Sequence, residues 1–450
     1  MNDTKIERIS KTIKQFPITQ GSFSSHEGPY HLDFKSLGVS SPLSKALAKA
    51  GVSQPTPIQQ QAIPLALAGH DIMGLAQTGT GKTFAFGLPL VEQLMDANEK
   101  PAPKTVKALI LAPTRELVNQ IAENLKVLTF STPIKILTVV GGQSLVRQTN
   151  QLQRGAHVLV ATPGRLIDLM ERGAVKLGTV RFLVLDEADQ MLDMGFIHAL
   201  RKIEPRLGVP RQTMLFSATM PKLMEELSRS YLKKPKKIQV SPPGKAADKI
   251  SQSVHFLDRS EKLDRLAEIL SNDLDALALV FGKTKRGVNR LCDSLVDRGF
   301  NAAAIHGNKS QGQRDRAIKA FKEGEVKILV ATDVAARGID IPGVAYVINY
   351  DFPEVPENYV HRIGRTARAG REGQAITLCT SDDVDMLKAI QRLMKLEIPV
   401  ASGKMPQATK APKSNRRNNE NRNQRSGRKP AQKRMVEKRA KPKRRRRNKQ

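Results

Sequence analysis

Short apolar runs alternate along most of the chain with segments long enough to form helices, and this alternation constrains the fold most strongly. A run of about four to eight apolar residues is typical of a strand buried in a parallel sheet. Strands that alternate with helices predict an α/β domain with helices on both faces of the sheet. In the first half of the chain the runs lie around Ile72, Leu109–Leu111, Val139–Val140, Val158–Val160, Phe182–Leu185 and Met214–Phe216.

The alternation stops once and then restarts, which predicts a second domain of similar build. The break contains Ser241-Pro242-Pro243-Gly244-Lys245, which cannot continue a strand or a helix. Beyond it the apolar runs are Leu277–Phe281, Ala302–Ile305, Ile328–Val330, Val347–Ile348 and Ala375–Leu378. We therefore expect a mobile N-terminal extension at 1–32, a first domain at 33–240, a linker at 241–250, a second domain at 251–400 and a tail at 401–450.

The tail is strongly basic. Residues 401–450 contain 20 Lys and Arg against 2 Asp and Glu, so they carry +18 of the chain's net charge of +31. They contain no aromatic residue and few large apolar ones, so no core can form and we expect disorder. Like-charge blocks of this length are typical of interaction tails, and positive charge favours nucleic acid as the partner. Acidic lipid is a second candidate, and a purely solubilising tail is a third.

A glycine-rich segment follows the first apolar run. Its sequence is Ala76-Gln77-Thr78-Gly79-Thr80-Gly81-Lys82-Thr83. Backbone N–H groups of such a loop at the start of a helix point at phosphate oxygens, and Gly79 and Gly81 allow close approach. Lys82 would balance the charge of the β- and γ-phosphates, and the Thr83 hydroxyl suits a magnesium ion. The general pattern begins with glycine, where this chain has Ala76.

An acidic pair follows the later run Phe182–Leu185. Asp186 and Glu187 would lie at the end of a strand, which is where α/β proteins place ligand chemistry. One carboxylate there can hold magnesium, and the next can orient water. Together with the phosphate loop, the pair predicts the two halves of an ATP site.

Other motifs follow in order along both halves of the chain. In the first half they are Pro113-Thr114-Arg115-Glu116-Leu117, Gly141-Gly142, Thr162-Pro163-Gly164-Arg165, Asp186-Glu187-Ala188-Asp189 and Ser217-Ala218-Thr219. In the second half they are Thr332-Asp333, Arg337-Gly338-Ile339-Asp340 and His361-Arg362-Ile363-Gly364-Arg365-Thr366-Ala367-Arg368. This set resembles the DEAD-box ATP-dependent RNA helicases, over roughly residues 33–395. The segment at 191–196 is similar to the bacterial RhlE-like branch. The resemblance implies two tandem RecA-like domains followed by a disordered basic tail.

The resemblance implies a site for ATP and Mg²⁺. Gln59 corresponds to the glutamine that recognises adenine, because a side-chain amide matches the donor and acceptor of the N6/N7 edge. Phe34 lies where the family has an aromatic residue, whereas Val52 replaces another. Asp340 would accept a hydrogen bond from the ribose. The predicted ATP-binding residues are Phe34, Gln59, Ala76, Gln77, Thr78, Gly79, Thr80, Gly81, Lys82, Thr83 and Asp340.

The resemblance also assigns catalytic roles. Asp186 would bind magnesium with Thr83, and Glu187 would orient and deprotonate the attacking water. Arg365 and Arg368 would reach the γ-phosphate from the second domain, and they would share a face if the segment were helical. The methyl group of Ala367, where glycine is commoner, would then leave both guanidinium groups in place. The predicted catalytic residues are Lys82, Asp186, Glu187, Arg365 and Arg368.

RNA contacts and domain coupling complete the set that the resemblance implies. The coupling residues are Asp189, Ser217, Thr219 and His361. The predicted RNA-binding residues are Arg115, Gly142, Thr162, Gly164, Arg165, Gln311, Arg314, Thr332 and Gly338. Aromatic residues make up 4% of the chain and tryptophan is absent, so platforms for base stacking are scarce. We expect contacts to phosphates and 2′-hydroxyls, with little sequence preference.

The expected function is RNA-stimulated ATP hydrolysis coupled to local separation of short RNA duplexes or to remodelling of ribonucleoproteins. Ribosomal or RNA-decay proteins are candidate partners, and the sequence leaves the oligomeric state open. A DNA helicase on the same core and a non-enzymatic RNA-binding or assembly protein are the alternatives. Competition between RNA and DNA in an ATPase assay tests the DNA helicase. Absence of RNA-stimulated ATPase activity would favour the non-enzymatic protein.

Membrane insertion and secretion are not expected. No apolar run approaches the length of about 18 residues that a membrane span requires. The N-terminus lacks the apolar stretch of a secretory signal. We therefore expect a cytoplasmic protein.

Overall fold

The computed structural model describes residues 33–76, 79–240, 250–336, 341, 343–367 and 372–405. These residues form two seven-stranded sheets in which all paired strands are parallel. The first sheet contains β1 (Ile72–Leu75), β2 (Val106–Leu111), β3 (Ile136–Val139), β4 (Ala156–Ala161), β5 (Phe182–Leu185), β6 (Gln212–Ser217) and β7 (Lys236–Gln239). The second contains β8 (Ile250–Phe256), β9 (Leu277–Phe281), β10 (Ala302–Ile305), β11 (Ile328–Ala331), β12 (Val344–Asn349), β13 (Gly373–Cys379) and β14 (Val400–Ser402).

The two sheets have the same topology. Their strand orders are β3-β4-β2-β5-β6-β1-β7 and β10-β11-β9-β12-β13-β8-β14, so each strand of the second sheet occupies the place of its counterpart in the first. The prediction of two tandem RecA-like domains is therefore confirmed.

Helices connect the strands and cover both faces of each sheet. In the first domain they are α1 (Ser41–Lys49), α2 (Pro57–Leu67), α3 (Lys82–Ala97), α4 (Arg115–Thr129), α5 (Leu145–Leu152), α6 (Pro163–Glu171), α7 (Ala188–Asp193), α8 (Ile197–Ile203) and α9 (Lys222–Tyr231). In the second they are α10 (Lys262–Ser271), α11 (Lys285–Asp297), α12 (Gln311–Lys322), α13 (Asp333–Ala336), α14 (Pro356–Ile363) and α15 (Val384–Met394).

Successive side chains of the central strands point to opposite faces of the sheet and pack into two separate apolar layers. In β4, Val158 packs into the layer that contains Phe86 of α3, whereas Leu159 packs into the layer that contains Leu166 of α6. All four side chains are fully buried. Because the strands are parallel, their carboxyl ends meet at one edge of each sheet, and the loops that follow them converge there.

Three strands lie outside the predicted apolar runs, namely β7, β8 and β14. Ile250 begins β8, so it belongs to the second sheet although the predicted linker included it. Strand β14 extends to Ser402, two residues into the predicted tail. The N-terminal extension, the rest of the linker and residues 406–450 lie outside the described residues.

Within the described part of the chain, every helix is too short or too polar to cross a lipid bilayer.

Candidate functional site

The predicted phosphate loop lies at the carboxyl end of β1 and leads directly into α3. The Ala76 N–H donates to the Ser217 carbonyl at 2.9 Å, which ties the loop to the end of β6. Gly79 and Gly81 have φ values of +85° and +89°, a region that glycine adopts without strain. Gln77 and Thr78 lie outside the described residues.

Lys82, at the start of α3, points back toward the acidic pair. Its Nζ donates to the Ala76 carbonyl at 3.1 Å and lies 3.9 Å from Asp186 Oδ1. Asp186, Glu187 and Asp189 are buried, with 2–3% of each residue exposed. Glu187 adopts a left-handed backbone with φ +50°, a strained conformation that is typical of functional sites.

The charge balance of this cluster fits a divalent cation. Burial raises the pKa of the Asp186 carboxyl to about 6, while Lys82 opposes the shift and Glu187 adds to it. Lys82 therefore offsets only part of the cost of burying the Asp186 carboxylate. Carboxylate and hydroxyl oxygens are ligands that magnesium prefers, and the partly buried Thr83 follows Lys82 on α3.

Both ends of the buried Gln59 amide are hydrogen-bonded within the chain. Its Nε2 donates to the Gly81 carbonyl at 2.9 Å, and its Oε1 accepts from the Thr56 N–H at 2.9 Å. A Cβ on Gly81 would lie 2.5 Å from Nε2, so only glycine allows this contact. The amide therefore holds Gly81, the residue directly before α3. The predicted aromatic residue Phe34 is 4% exposed and packs into the core of the first domain, with Val52 at the edge of the same cluster.

The four predicted coupling residues lie together. Asp189 Oδ2 accepts hydrogen bonds from the Thr219 N–H and hydroxyl, both at 2.9 Å. The Ser217 hydroxyl donates to the Thr219 carbonyl at 2.7 Å. His361 Nε2, on the second domain, lies 3.7 Å from Asp189 Oδ2. Asp189 thus contacts both the loop after β6 and the second domain.

The condition for Arg365 and Arg368 to share a face, a helical segment, is not met at Arg365. Helix α14 ends at Ile363, and Arg365 lies in the turn beyond it. Ala367 has φ +54°, a left-handed conformation that no helix continues. The Thr366 hydroxyl also bonds the Val344 carbonyl instead of the helix. Arg365 is buried and lines a small cavity with His361, whereas Arg368 lies outside the described residues.

The predicted RNA residues of the first domain lie on neighbouring loops. The Arg115 guanidinium packs over Gly142, where an added Cβ would lie 2.0 Å from Nη1. Gly142 also has φ +73°. The buried Thr162 precedes α6, and the first turn of that helix contains Gly164 and Arg165. N–H groups in the first turn of a helix have no acceptor within the helix, so they are available to phosphate.

The RNA residues of the two domains contact each other. Arg115 Nη1 donates to Gln311 Oε1 at 3.0 Å, and Gln311 Nε2 donates to Glu116 Oε1 at 3.2 Å. Arg314 Nη2 forms an ion pair with Glu116 Oε1 at 3.0 Å. Burial lowers the pKa of Arg115, Glu116 raises it, and the charges of Arg314 and Arg165 lower it further. Such a concentration of positive charge suits a polyanion.

The remaining predicted residues divide into two groups. Thr332 is buried at the end of β11, directly before α13, and Arg314 reaches α13 by donating to the Ala335 carbonyl at 3.3 Å. Gly338 and Asp340 lie outside the described residues.

Sequence reasoning missed three residues that organise these sites. Arg362 is fully buried, and its guanidinium donates two hydrogen bonds to the Asp333 carboxylate, at 2.6 and 2.7 Å. It also lies 4.8 Å from the centre of the Phe281 ring. Glu116 accepts a hydrogen bond from Gln311 and pairs with Arg314, both on α12. Gln148 accepts a hydrogen bond from Arg165. Their partners are distant in sequence, and only the neighbouring motif residues could have drawn attention to them.

Comparison with known proteins gives consistent matches over both domains. The DEAD/DEAH box helicase family profile matches residues 56–227, and the helicase conserved C-terminal domain profile matches residues 261–370. The DEAD-box ATP-dependent RNA helicase CshA of Bacillus licheniformis is 43% identical over 364 residues, covering 81% of this chain and 74% of that protein. Its counterpart in Geobacillus kaustophilus is 44% identical over 362 residues, covering 80% and 76%. The RhlE-like branch stays a prediction.

Two solved structures share the fold across both domains. S. cerevisiae Dbp5 bound to RNA and ADP BeF3 has a TM-score of 0.73 and 31% identity, covering 82% of this chain and 95% of that one. Mss116p bound to ssRNA and AMP-PNP has a TM-score of 0.76 and 29% identity, covering 85% and 82%.

Proposed function

The chain belongs to the DEAD-box family of ATP-dependent RNA helicases, and from this we propose that RNA and ATP together close its two domains around one catalytic site. The observation that carries the proposal is the division of charged groups between domains. Lys82 and Asp186 belong to the first domain, and Arg365 belongs to the second. The contact of Asp189 with His361 joins the two domains.

The proposed hydrolysis depends on positioning and on neutralisation of charge. Thr83 and Asp186 would hold magnesium, which supplies positive charge to the β- and γ-phosphates when bound. Glu187 would orient the attacking water and accept its proton. Arg365 and Arg368 would stabilise the charge that develops on the transferring phosphoryl group, a contribution of about 10³–10⁵ in rate for arginine fingers in general.

We propose that RNA is bound through its backbone by the cluster formed by Arg115, Arg165, Gln311 and Arg314. Contacts to phosphate position a nucleic acid without reading its sequence. A strand held across both domains would favour the closed arrangement, and closing would bring Arg365 to the phosphates. ATP turnover would then separate a short duplex locally.

Glu187→Gln tests the assignment of the catalytic base. The variant should bind ATP with wild-type affinity, because the amide keeps the shape of the side chain, but its RNA-stimulated turnover should fall at least about 100-fold. Phosphate release and binding of a fluorescent ATP analogue measure the two effects. Glu226→Gln, an exposed substitution on α9, is the matched control. Normal phosphate release by Glu187→Gln would refute the assignment.

RNA is proposed as the activating polymer because the matched relatives are RNA helicases. A comparison of RNA and single-stranded DNA as activators of ATP hydrolysis tests this. Activation by RNA alone supports the proposal, and equal activation by DNA would favour a DNA helicase. If neither activates hydrolysis but RNA binds, the non-enzymatic alternative gains support.

We further propose a cytoplasmic role in ribosome assembly or RNA decay. The basic sequence and the similarity to ATP-dependent RNA helicases support a role that acts on RNA. Crosslinking the protein to RNA in cells and sequencing the bound fragments tests it. Recovery of ribosomal RNA precursors favours assembly, and recovery of messenger RNA fragments favours decay.

A further inference from the structure

Gln148, on α5, is a buried polar residue at a position where an apolar residue would be ordinary. Helix α5 packs on the first domain through Gln148 and Leu152, which are four residues apart and therefore share a face. Leu152 is fully buried and Gln148 is 2% exposed. A buried amide is costly unless its hydrogen bonds are made, so the contacts of Gln148 indicate why it is there.

The amide of Gln148 uses both of its ends. Nε2 donates to the Val140 carbonyl at 3.0 Å and to Gln143 Oε1 at 3.3 Å. Oε1 accepts from Arg165 Nη1 at 3.0 Å. These partners fix the orientation of the amide, because a carbonyl can only accept and a guanidinium can only donate.

The contacts of Gln148 join two segments that both belong to the proposed RNA surface. Residues 140–143 follow β3 and include Gly142, on which the Arg115 guanidinium rests. Arg165, on α6, also donates to the Gln143 carbonyl at 2.9 Å. One buried side chain therefore links the Gly142 loop to Arg165, in addition to the direct hydrogen bond between Arg165 and Gln143.

Arg165 is itself held in one orientation. Nη1 binds Gln148 and Gln143, and Nε lies 3.6 Å from Asp168 Oδ2. Among the described residues, no acceptor bonds Nη2, which leaves that nitrogen for a phosphate oxygen. A guanidinium fixed in advance loses less conformational entropy when it binds an anion.

We propose that Gln148 is a positioning residue for RNA, which fixes the Gly142 loop and Arg165 at the separation needed to bind phosphates of one strand. The inference rests on the proposed RNA-binding function and adds a residue that does not itself touch RNA. It acts through the loop carbonyl on one side and through Arg165 on the other. Loss of the amide would leave α5 packed through Leu152 but would remove the bonds from Gln148 to the Gly142 loop and one of the two hydrogen bonds that hold Arg165 Nη1.

The test compares Gln148→Met with a matched change elsewhere in the domain. Gln212 is also a buried glutamine, and its Nε2 donates to the carbonyls of Ala66 and His70, far along the chain from the RNA segments. Full-length wild type, Gln148→Met and Gln212→Met are assayed for the oligouridine concentration that half-saturates ATP hydrolysis. Anisotropy of labelled oligouridine with AMP-PNP gives the affinity directly.

Gln148→Met should raise half-saturating RNA about tenfold, equivalent to about 1.4 kcal/mol, while KM for ATP at saturating RNA moves less than about twofold. Gln212→Met should keep wild-type half-saturation even though it loses hydrogen bonds of its own. Gln148→Asn is one methylene shorter and cannot span both segments, so the half-saturating RNA concentration should rise in this variant as well. It serves as the variant if Gln148→Met is insoluble.

A double-mutant cycle separates positioning from general destabilisation. If Gln148 acts through Arg165, Arg165→Ala should weaken RNA binding less in the Gln148→Met background than in wild type. Wild-type half-saturation in Gln148→Met, or an equal shift in Gln212→Met, would overturn the inference. A wild-type protein that RNA neither binds nor activates would overturn the proposed function as well.

Discussion

Asp186 is held where ionisation is unfavourable, and this is a cost that the folded protein bears for its site. The carboxyl is buried beside Glu187, and Lys82 offsets only part of the penalty. Buried carboxylates without full compensation are typical of sites that receive a cation. Without a bound cation, the folded protein should therefore be less stable than a variant with an uncharged side chain of the same shape at position 186.

Asp186→Asn should accordingly stabilise the protein in EDTA near neutral pH, by about 1–3 kcal/mol. The folded-state pKa of Asp186 is raised from 3.8 to about 6, so the folded state binds more protons than the unfolded state between these values. The stability of wild type therefore falls as pH rises through this window, and the advantage of asparagine disappears below about pH 4. Urea unfolding of both proteins near neutral pH and below about pH 4 measures the difference in stability. An advantage that persisted at low pH would contradict this explanation, and exposed Asp297→Asn is the control.

Ala367 is a second residue that destabilises the folded state, in this case through its backbone conformation. A left-handed backbone costs an L-residue with a Cβ about 1–2 kcal/mol, and the strain lies two residues from Arg365. Ala367→Gly should raise the free energy of unfolding by about 0.5–1 kcal/mol, since glycine relieves the strain but gains entropy when unfolded. Chemical denaturation measures the change. Ala50→Gly, at φ −84°, should not stabilise the protein. Equal effects of the two changes would exclude strain as the cause.

At this scale the sequence pointed to residues that the structure brings together, including Asp189 with His361 and Lys82 with Asp186. It did not point to Arg362 or Gln148. Motifs name the residues that face a ligand, whereas supporting contacts depend on which distant segments meet. No local pattern contains that information.

At the scale of elements, burial decided which strands could be predicted. Most of the predicted runs are central strands, whose two faces are both apolar, while β3 and β10 are edge strands that still contain apolar residues. Strand β8 alternates buried positions such as Gln252 and Val254 with more exposed positions such as Ser251, and so shows no continuous apolar run. Strands β7 and β14 are edge strands of their sheets, with mostly exposed residues. Their pairing comes from backbone hydrogen bonds, which leave little trace in composition.

Strand β14 makes the end of the second domain a structural boundary. The Val254 N–H donates to the Pro399 carbonyl at 2.9 Å, and Ser402 Oγ contacts His255 Nδ1 at 2.8 Å. Deleting 399–450 should lower the melting temperature by at least about 4 °C, because each lost hydrogen bond contributes about 0.5–1.5 kcal/mol. Deleting 406–450 keeps the strand and is the matched control. Equal melting temperatures of the two truncated proteins would show that β14 contributes no stability.

For the whole molecule, the repeated topology explains how one site can be divided between two domains. Each sheet presents its loops at the carboxyl ends of its strands, and contacts between the domains join those loops. Asp189 with His361 lies on the proposed ATP side, and Glu116 with Arg314 lies among the proposed RNA residues. RNA and nucleotide would therefore stabilise the same closed arrangement from two places, which is the basis of their coupling.

We expect the basic tail to add a second, independent source of RNA affinity. Residues 406–450 contain 19 Lys and Arg against 2 Asp and Glu. Deleting them should weaken RNA binding mainly at low salt, because each phosphate neutralised on a single strand adds about 0.7 to the magnitude of the salt slope. The affinities of full-length and truncated protein should converge as salt rises, which a titration of labelled RNA at several salt concentrations measures. A scrambled tail of the same composition should restore the full slope if charge alone acts. A truncated protein with the wild-type slope would mean that the tail does not bind RNA.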